Sequence, residues 1–423
     1  MRSREEFYQL IEDEDIEFIR LQFTDVFGNL KNIAVTPGQL SRVLDNKYSF
    51  EGPALFDNMY DYTNDLYLKP DLDTFVILPW RPQQGKVGKL ICDVVNSDGS
   101  PCELSPRTIL KNIVEEAAKE GYEFNINPEC EFFLFHTDDN GNPTTVSHEK
   151  AGYLDVGPVD FGENARRDMV LTLEEMGFEI ESSHHEQAPA QHEIDFAEGE
   201  SLATADAVMT FKFAVRSIAK RFGLYATFMP KPRTDEAGSG MHLKFTLLKN
   251  GKNVFDCKEG MSDEASYFIG GIMEHAQAMC AITNPIVNSY KRLLSGFEAP
   301  GLVNWTNNGE NSLVKYTNVF GESKVELRFP DTAANPYLAI AVCIAAGLDG
   351  IKNKISPKKM NVSSGTLPGN LNDALRHMRK DKVIVNALGK EFADLYDNIK
   401  KAEWNEYMKQ VSDWELNRYL VKM

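Results

Sequence analysis

The chain has 423 residues, of which 42% are hydrophobic and 26% charged, with a formal net charge of −18. That acidity argues against nucleic acid or an anionic membrane as partner. No apolar run reaches the roughly 18 residues of a spanning helix. The length accommodates two domains, or one large domain with an appendage. The opening "MRSREEFYQLIEDEDIEF" is charged and has no apolar core, so it does not read as a secretory signal. Cys92, Cys102, Cys130, Cys257, Cys280 and Cys343 show no CxxC spacing. Structural zinc is therefore not expected, and reduced thiols in a cytoplasm are.

Residues 1–102 carry short strand-like runs, "FIRLQFTD", "FVILPW" and "KLICDVV", with turns such as "SDGSP". At Ser105-Pro106 the texture changes to an N-cap followed by proline at the first helical position. A helix is predicted through "RTILKNIVEEAAKE", stopping at Gly121. The domain boundary is placed near residue 103, which divides the chain into 1–102 and 103–423. Strands and helices alternate after it.

"NPECEFFLF" reads as a strand whose Glu129, Glu131 and Phe133 share one face and whose Cys130, Phe132 and Leu134 share the other. Two carboxylates roughly 6–7 Å apart along a strand repel by roughly 2–3 kcal/mol at an effective dielectric of about 20. A cation or a proton between them would offset that cost. "SSHHEQAPAQHEIDF" adds Glu186 and Glu193, flanked by His184, His185 and His192. "SGMHLKFTL" alternates Met241, Leu243 and Phe245 with His242, Lys244 and Thr246. "NSYKRLLSGFEAP" is read as a Gly- and Pro-containing loop bearing Arg292 and Glu298. "KVELRFPD" places Glu326 and Arg328 opposite Val325, Leu327 and Phe329. The segment from Glu391 to Met423 has apolar residues at three- and four-residue steps and is predicted to form one or two amphipathic helices.

One-sided charged strands are common on solvated sheets, but here the charged faces repeatedly carry metal-ligand types. Hard divalent ions take oxygen ligands, and five glutamates with a histidine exceed one magnesium site. They suit neighbouring sites of the kind that bridge phosphate oxygens in phosphoryl transfer. Arg292 and Arg328 would grip a carboxylate or phosphoryl group in bidentate fashion. Zinc hydrolysis remains open on spacing alone, although histidines are few. There is no GxxxxGK[ST] loop. His136, His148, His275 and His377 are read as surface or packing residues, and Trp404 and Trp414 as packing or subunit contacts.

With "ATFMPKP", "GSGMH", "NPIVNSYKRLLSGFEAP" and "ELRFPDTAANPYLA" added, nearly the whole chain resembles type I glutamine synthetase. The resemblance implies an α+β fold, with a small β-grasp N-terminal domain and a catalytic domain built on a curved antiparallel sheet flanked by helices. It implies a homo-oligomer of twelve subunits in two hexameric rings, with the small domain of one subunit closing the site of the next. The implied reaction joins ammonia to the γ-carboxylate of glutamate through γ-glutamyl phosphate. It uses ATP and two or three magnesium or manganese ions. By motif, Glu131, Glu186 and Glu193 would hold one ion, and Glu129, His242 and Glu326 another. Arg292 and Arg328 resemble the arginines on glutamate and phosphoryl group. Gly238 resembles the loop glycine beside glutamate, Glu298 the flap glutamate that deprotonates ammonium, and Tyr153 a wall of the ammonium pocket.

The sequence departs from that pattern around the nucleotide and the ammonium. Lys244 stands for a histidine, Thr246 for a serine, Ala237 for an asparagine, and Glu310 for an arginine. Lys315 and Lys324 replace basic residues near the nucleotide, so Lys244, Thr246, Lys315 and Lys324 are the expected nucleotide contacts. Glu51 replaces the aspartate of the ammonium pocket and Ala54 a serine. These changes leave open a ligase for a larger amine, or a non-catalytic paralogue, beside the ammonia ligase.

Overall fold

The computed structural model describes residues 2–60, 62–81, 84–294, 296–297, 299–309, 311–421 and 423; Glu298 and Glu310 lie outside the described residues. The N-terminal part runs α1 (Arg4–Asp13), β1 (Ile16–Thr24), β2 (Leu30–Val35), α2 (Leu40–Leu44), β3 (Tyr48–Glu51), β4 (Asp65–Ile77) and β5 (Lys86–Val95). Ser3 and Glu6 close a capping box that starts α1. Its buried Phe7 and Ile11 turn towards the core. The strands pair in the order β2-β1-β5-β4-β3, antiparallel apart from the parallel β1–β5 pair. This is the expected β-grasp domain.

The rest of the chain continues with α3 (Pro106–Lys119), β6 (Tyr122–His136), α4 (Glu163–Glu175), β7 (Ile180–His185), β8 (Gln191–Phe196), β9 (Gly199–Glu200), α5 (Ser201–Arg221) and β10 (Leu224–Thr227). Next come β11 (Met241–Lys249), β12 (Lys252–Asn253), α6 (Asp263–Thr283), α7 (Val287–Leu293), β13 (Trp305–Thr306), β14 (Val314–Val319) and β15 (Glu322–Leu327). Five helices follow: α8 (Pro336–Asn353), α9 (Leu371–Lys380), α10 (Lys382–Leu388), α11 (Lys390–Tyr407) and α12 (Asp413–Tyr419). The large sheet runs β13-β14-β15-β11-β6-β8-β7, with β9 and β10 on β6 and β12 on β11. Helices α3, α5, α6 and α8 supply buried residues to one continuous core with its apolar face. Close approach of α6 and α8 requires glycine. A Cβ on Gly271 would lie 2.1 Å from the Ala346 carbonyl oxygen, and one on Gly350 2.1 Å from that of Tyr267.

Helix α3 starts at Pro106 and gives way to Gly121 at φ +82°, although the Ser105 side chain makes no capping hydrogen bond. Arg292 sits on α7 rather than in a loop. Pro285 precedes this helix, and the Ser289 hydroxyl accepts the otherwise orphaned Ile286 N–H at 3.3 Å. The C-terminal segment forms α11 and α12; Trp404 is half-buried, whereas Trp414 is exposed.

One buried cation links the small sheet to helix α5. Arg107, on α3, meets Asp71 at 2.9 Å and Asp93 at 2.5 Å in the small domain, and Asp206 on α5 at 2.8 Å. The Tyr337 hydroxyl donates to Asp206 at 2.6 Å. Removing one partner of a buried ion group leaves the others uncompensated. Arg107→Ala is expected to cost about 3–5 kcal/mol, read as a fall in denaturation midpoint by urea titration of the purified protein.

Candidate active site

Register explains how residues far apart in sequence meet. Across β6 and β11, Glu129 faces His242. Across β6 and β8, Glu131 faces Glu193 and Glu129 faces Asp195. Across β7 and β8, His184 faces Glu193. Lys244 and Lys315, on either side of β15, both face Glu326. Side chains alternate along each strand, so these positions share one side of the sheet. The opposite side is apolar: Cys130, Phe132, Leu243, Phe245, Val325 and Leu327 are buried in the main core. Phe133 and Phe135, on the same side as the acids, pack with Ala188 and Ala190 in a small separate cluster.

The result is a cavity of about 350 Å³ lined by Glu129, Glu131, Glu186, Glu193, Asp195 and Glu326, with His184, His242, Tyr153, Lys244, Lys315 and Arg328. A smaller hollow of about 20 Å³ beside it is lined by Glu131, Glu186, Ala237, Gly238, Arg292 and Phe297 among others. That hollow holds a water-sized molecule and shares Glu131, Glu186 and His242 with the larger cavity. Gly238 fits there because a Cβ would strike the Pro230 carbonyl oxygen at 2.2 Å.

The acids perturb one another. Glu131 accepts from the Gly240 N–H at 2.9 Å and the Gln191 amide at 2.8 Å. Withdrawal from water, reinforced by Glu186, nonetheless pushes its carboxyl up to about 8, with Arg292 and Arg328 opposing. Glu193 is also raised, by burial and then by the charges of Asp195, Glu131, Glu129 and Glu186. Burial acts in the same upward sense on Glu129, but the His242 hydrogen bond at 3.3 Å and the Lys244 ammonium bring it down to about 2. Lys244 contacts the Glu129 carboxylate directly. Arg328 donates to Glu326 at 2.6 Å, and His184 to Glu186 at 2.8 Å.

Oxygen and imidazole donors come within 4.8 Å of one another in three groups here: Glu129–His242–Glu326, His184–Glu186–Glu193 and Glu129–Glu193–Asp195. One Asp195 oxygen is buried with no hydrogen-bond partner, while its other accepts from Ser182 at 2.5 Å. A buried orphan oxygen beside raised carboxyls is what hard divalent ions satisfy.

Not every expected residue is part of this cavity. Thr246 and Lys324 both bind Glu198, at 3.1 and 2.9 Å, and do not line it. Glu51 is exposed at the end of β3, outside the cavity of its own chain. Asp195 and His184 were not proposed as ligands from the sequence. The period-two step from Glu193 to Asp195 was the available signal.

The family profile described as "Glutamine synthetase, catalytic domain" matches residues 103–419, and "Glutamine synthetase, beta-Grasp domain" matches residues 15–97. The chain belongs to the glutamine synthetase family. It is therefore a carbon–nitrogen ligase. It is similar to the glutamine synthetase of Clostridium saccharobutylicum, at 48% identity covering 99% of both chains. It is 43% identical to that of Staphylococcus aureus strain Mu50, over 99% of this chain and 98% of the other. Among solved structures it resembles "GmaS/ADP complex-Conformation 1" at 31% identity and TM-score 0.90, and "Apo GmaS without ligand" at 32% and 0.89. Each covers 98% of this chain and 99% of that one.

Proposed function

We propose that this glutamine synthetase-type enzyme uses ATP to activate the γ-carboxylate of glutamate as γ-glutamyl phosphate, which ammonia then converts to glutamine. The observation that carries the reading is the convergence of six carboxyls with Arg328 in one cavity, next to the hollow that Arg292 and Gly238 line. Glu131, Glu186 and Glu193 would hold one divalent ion, and Glu129, His242 and Glu326 another, magnesium or manganese. Bound there, the ions supply charge neutralisation on phosphate oxygens. Arg292 and Arg328 hold the glutamate carboxylate and the transferred phosphoryl group. Lys244 and Lys315 line the cavity and would contact the nucleotide phosphates. Thr246 and Lys324 would reach a nucleotide only by releasing Glu198.

Tyr153 and the flap residue Glu298 would form the ammonium pocket, with Glu298 as the proton acceptor. Glu51 would join it from a neighbouring subunit in a dodecamer of stacked rings, since Glu51 does not line the cavity of its own chain. The division at residue 103 then separates a lid-supplying domain from a catalytic one. A cytoplasmic location suits the six free cysteines, five of them buried; among the described residues no helix is long and apolar enough to cross a membrane.

A ligase for a larger amine is the second reading, because Ala237 widens the hollow beside Gly238. The non-catalytic reading rested on Glu310, which lies outside the described residues, and no other feature supports it. Phosphate release from ATP, glutamate and Mg²⁺ or Mn²⁺ is expected with ammonium. Release only with alkylamines or polyamines would replace the first reading by the second, and none with any amine would refute both.

A further inference from the structure

A separate cavity of about 340 Å³ opens where the β1–β2 turn rests on the catalytic domain. The turn is anchored there by Asn335, whose amide donates to the Asp25 carbonyl at 3.0 Å. Phe27, Lys212, Arg216, Phe228 and Lys400 contribute to the walls, and no described acidic residue lines them. Lys400 is neutralised by Glu403 at 2.8 Å. The other two cations are not neutralised in this way.

Lys212 and Arg216 are four residues apart on α5, so their side chains occupy neighbouring positions on one helix face, where like charges repel. Both flank the Phe228 ring. The Lys212 Nζ is 5.7 Å and the Arg216 Cζ 5.1 Å from its centroid. Lys212 is 5% exposed, and its ammonium donates to the backbone carbonyls of Thr332 at 2.7 Å and Ala334 at 3.4 Å. An ammonium has three donors, so one remains. Among the described residues neither cation forms an ion pair. The nearby Asp331 is fully buried and is bound instead by Asn284 at 3.1 Å and the Ala333 N–H at 2.9 Å. Burial accordingly pulls the Lys212 ammonium down to about 8.

Lys212 is buried and Arg216 is exposed at the rim, so the cavity presents one desolvated and one solvated cation, with no acidic side chain among its described lining residues. We propose that this seam cavity binds a small oxyanion, a carboxylate or a phosphate, with Lys212 and Arg216 as its counter-charges and the Phe228 ring as its floor. Bound there, the anion would tie the β1–β2 turn to the catalytic domain at a point distinct from the acidic cavity.

The test is calorimetric titration of the full-length, metal-free protein with inorganic phosphate and, separately, with glutarate. The Arg216→Gln comparison separates binding at the seam from any binding of glutarate to the arginines beside the acidic cavity. One equivalent of at least one probe is expected to bind. Arg216→Gln is expected to weaken that binding about tenfold or more, the worth of one charge-assisted hydrogen bond. Glu131→Gln, as control, leaves it unchanged. Phosphate alone binding identifies an inorganic anion as the occupant, and glutarate alone an organic acid. No binding of either, or equal binding by Arg216→Gln, overturns the proposal. Neither result bears on the ligase reading, because Arg216 lies outside the acidic cavity.

Discussion

Glu131→Gln will reduce amine-dependent phosphate release by about 10³-fold or more, yet will raise the melting temperature of the metal-free protein at pH 8. Both effects come from one carboxylate held where charge is costly. The Glu131 carboxyl is raised from 4.5 to about 8 in the folded chain. A group raised in this way favours folding most when it is protonated, below its unfolded value. That contribution is lost as pH climbs from about 4.5 to about 8. At pH 8 the metal-free protein therefore carries a penalty on the order of a few kcal/mol, which a neutral amide of the same shape removes. The gain amounts to a few degrees in a chain of this size. Glu129, brought down to about 2, acts in the opposite sense: its contribution is present above about 4.5 and is lost only as pH falls towards 2.

Divalent ions reverse the balance, because they need the deprotonated acids and bind more tightly as pH rises. Saturating Mn²⁺ should therefore stabilise the unmodified protein at pH 8, by about 2.7 kcal/mol at a hundred times the dissociation constant. It should leave Glu131→Gln much less affected. Scanning calorimetry at pH 5 and pH 8, with and without Mn²⁺, gives the comparison. A fully active variant, or one less stable than the parent at pH 8 without metal, would remove Glu131 from the site.

Lys244→Met is expected to tighten Mn²⁺ binding at least tenfold in the absence of nucleotide. The Lys244 ammonium contacts the Glu129 carboxylate. A tethered cation competes with a divalent ion for that carboxylate. At about 4 Å and an effective dielectric of about 20, such a contact is worth about 4 kcal/mol before desolvation. Burial draws the Lys244 ammonium down, but Glu129 more than compensates and holds it above the ordinary lysine range. If Lys244 turns to the nucleotide once metal is bound, the same variant will raise KM for ATP. Manganese titration followed by electron paramagnetic resonance measures the first effect and steady-state kinetics the second. Weaker Mn²⁺ binding in Lys244→Met would show that the lysine supports the metal rather than opposing it.

Much of this site was legible in the letters because β-strands display side chains with a period of two. "ECE", "MHLKF" and "VELRF" each separate a charged face from an apolar one, and the structure buries Cys130, Leu243, Phe245, Val325 and Leu327 on the far side. Helix α3 was legible for the same kind of reason, with Pro106 at its first position and Gly121 beyond its end. Arg292 was misplaced in a loop, since the short helix α7 depends on a serine hydroxyl serving as a local cap and not on a long apolar repeat.

By itself the sequence determined the apolar and charged faces of the site strands, the ends of α3 and the family, because each is written in local spacing or in contiguous motifs. Only the tertiary structure decided which acids meet. Register across β8, β6, β11 and β15 sets Asp195 opposite Glu129, turns Lys244 onto it and gives Thr246 and Lys324 to Glu198, while the order of the small sheet leaves Glu51 on its edge strand β3. Strand pairing joins residues tens to hundreds of positions apart, and local propensity does not encode the charge that each brings to the other.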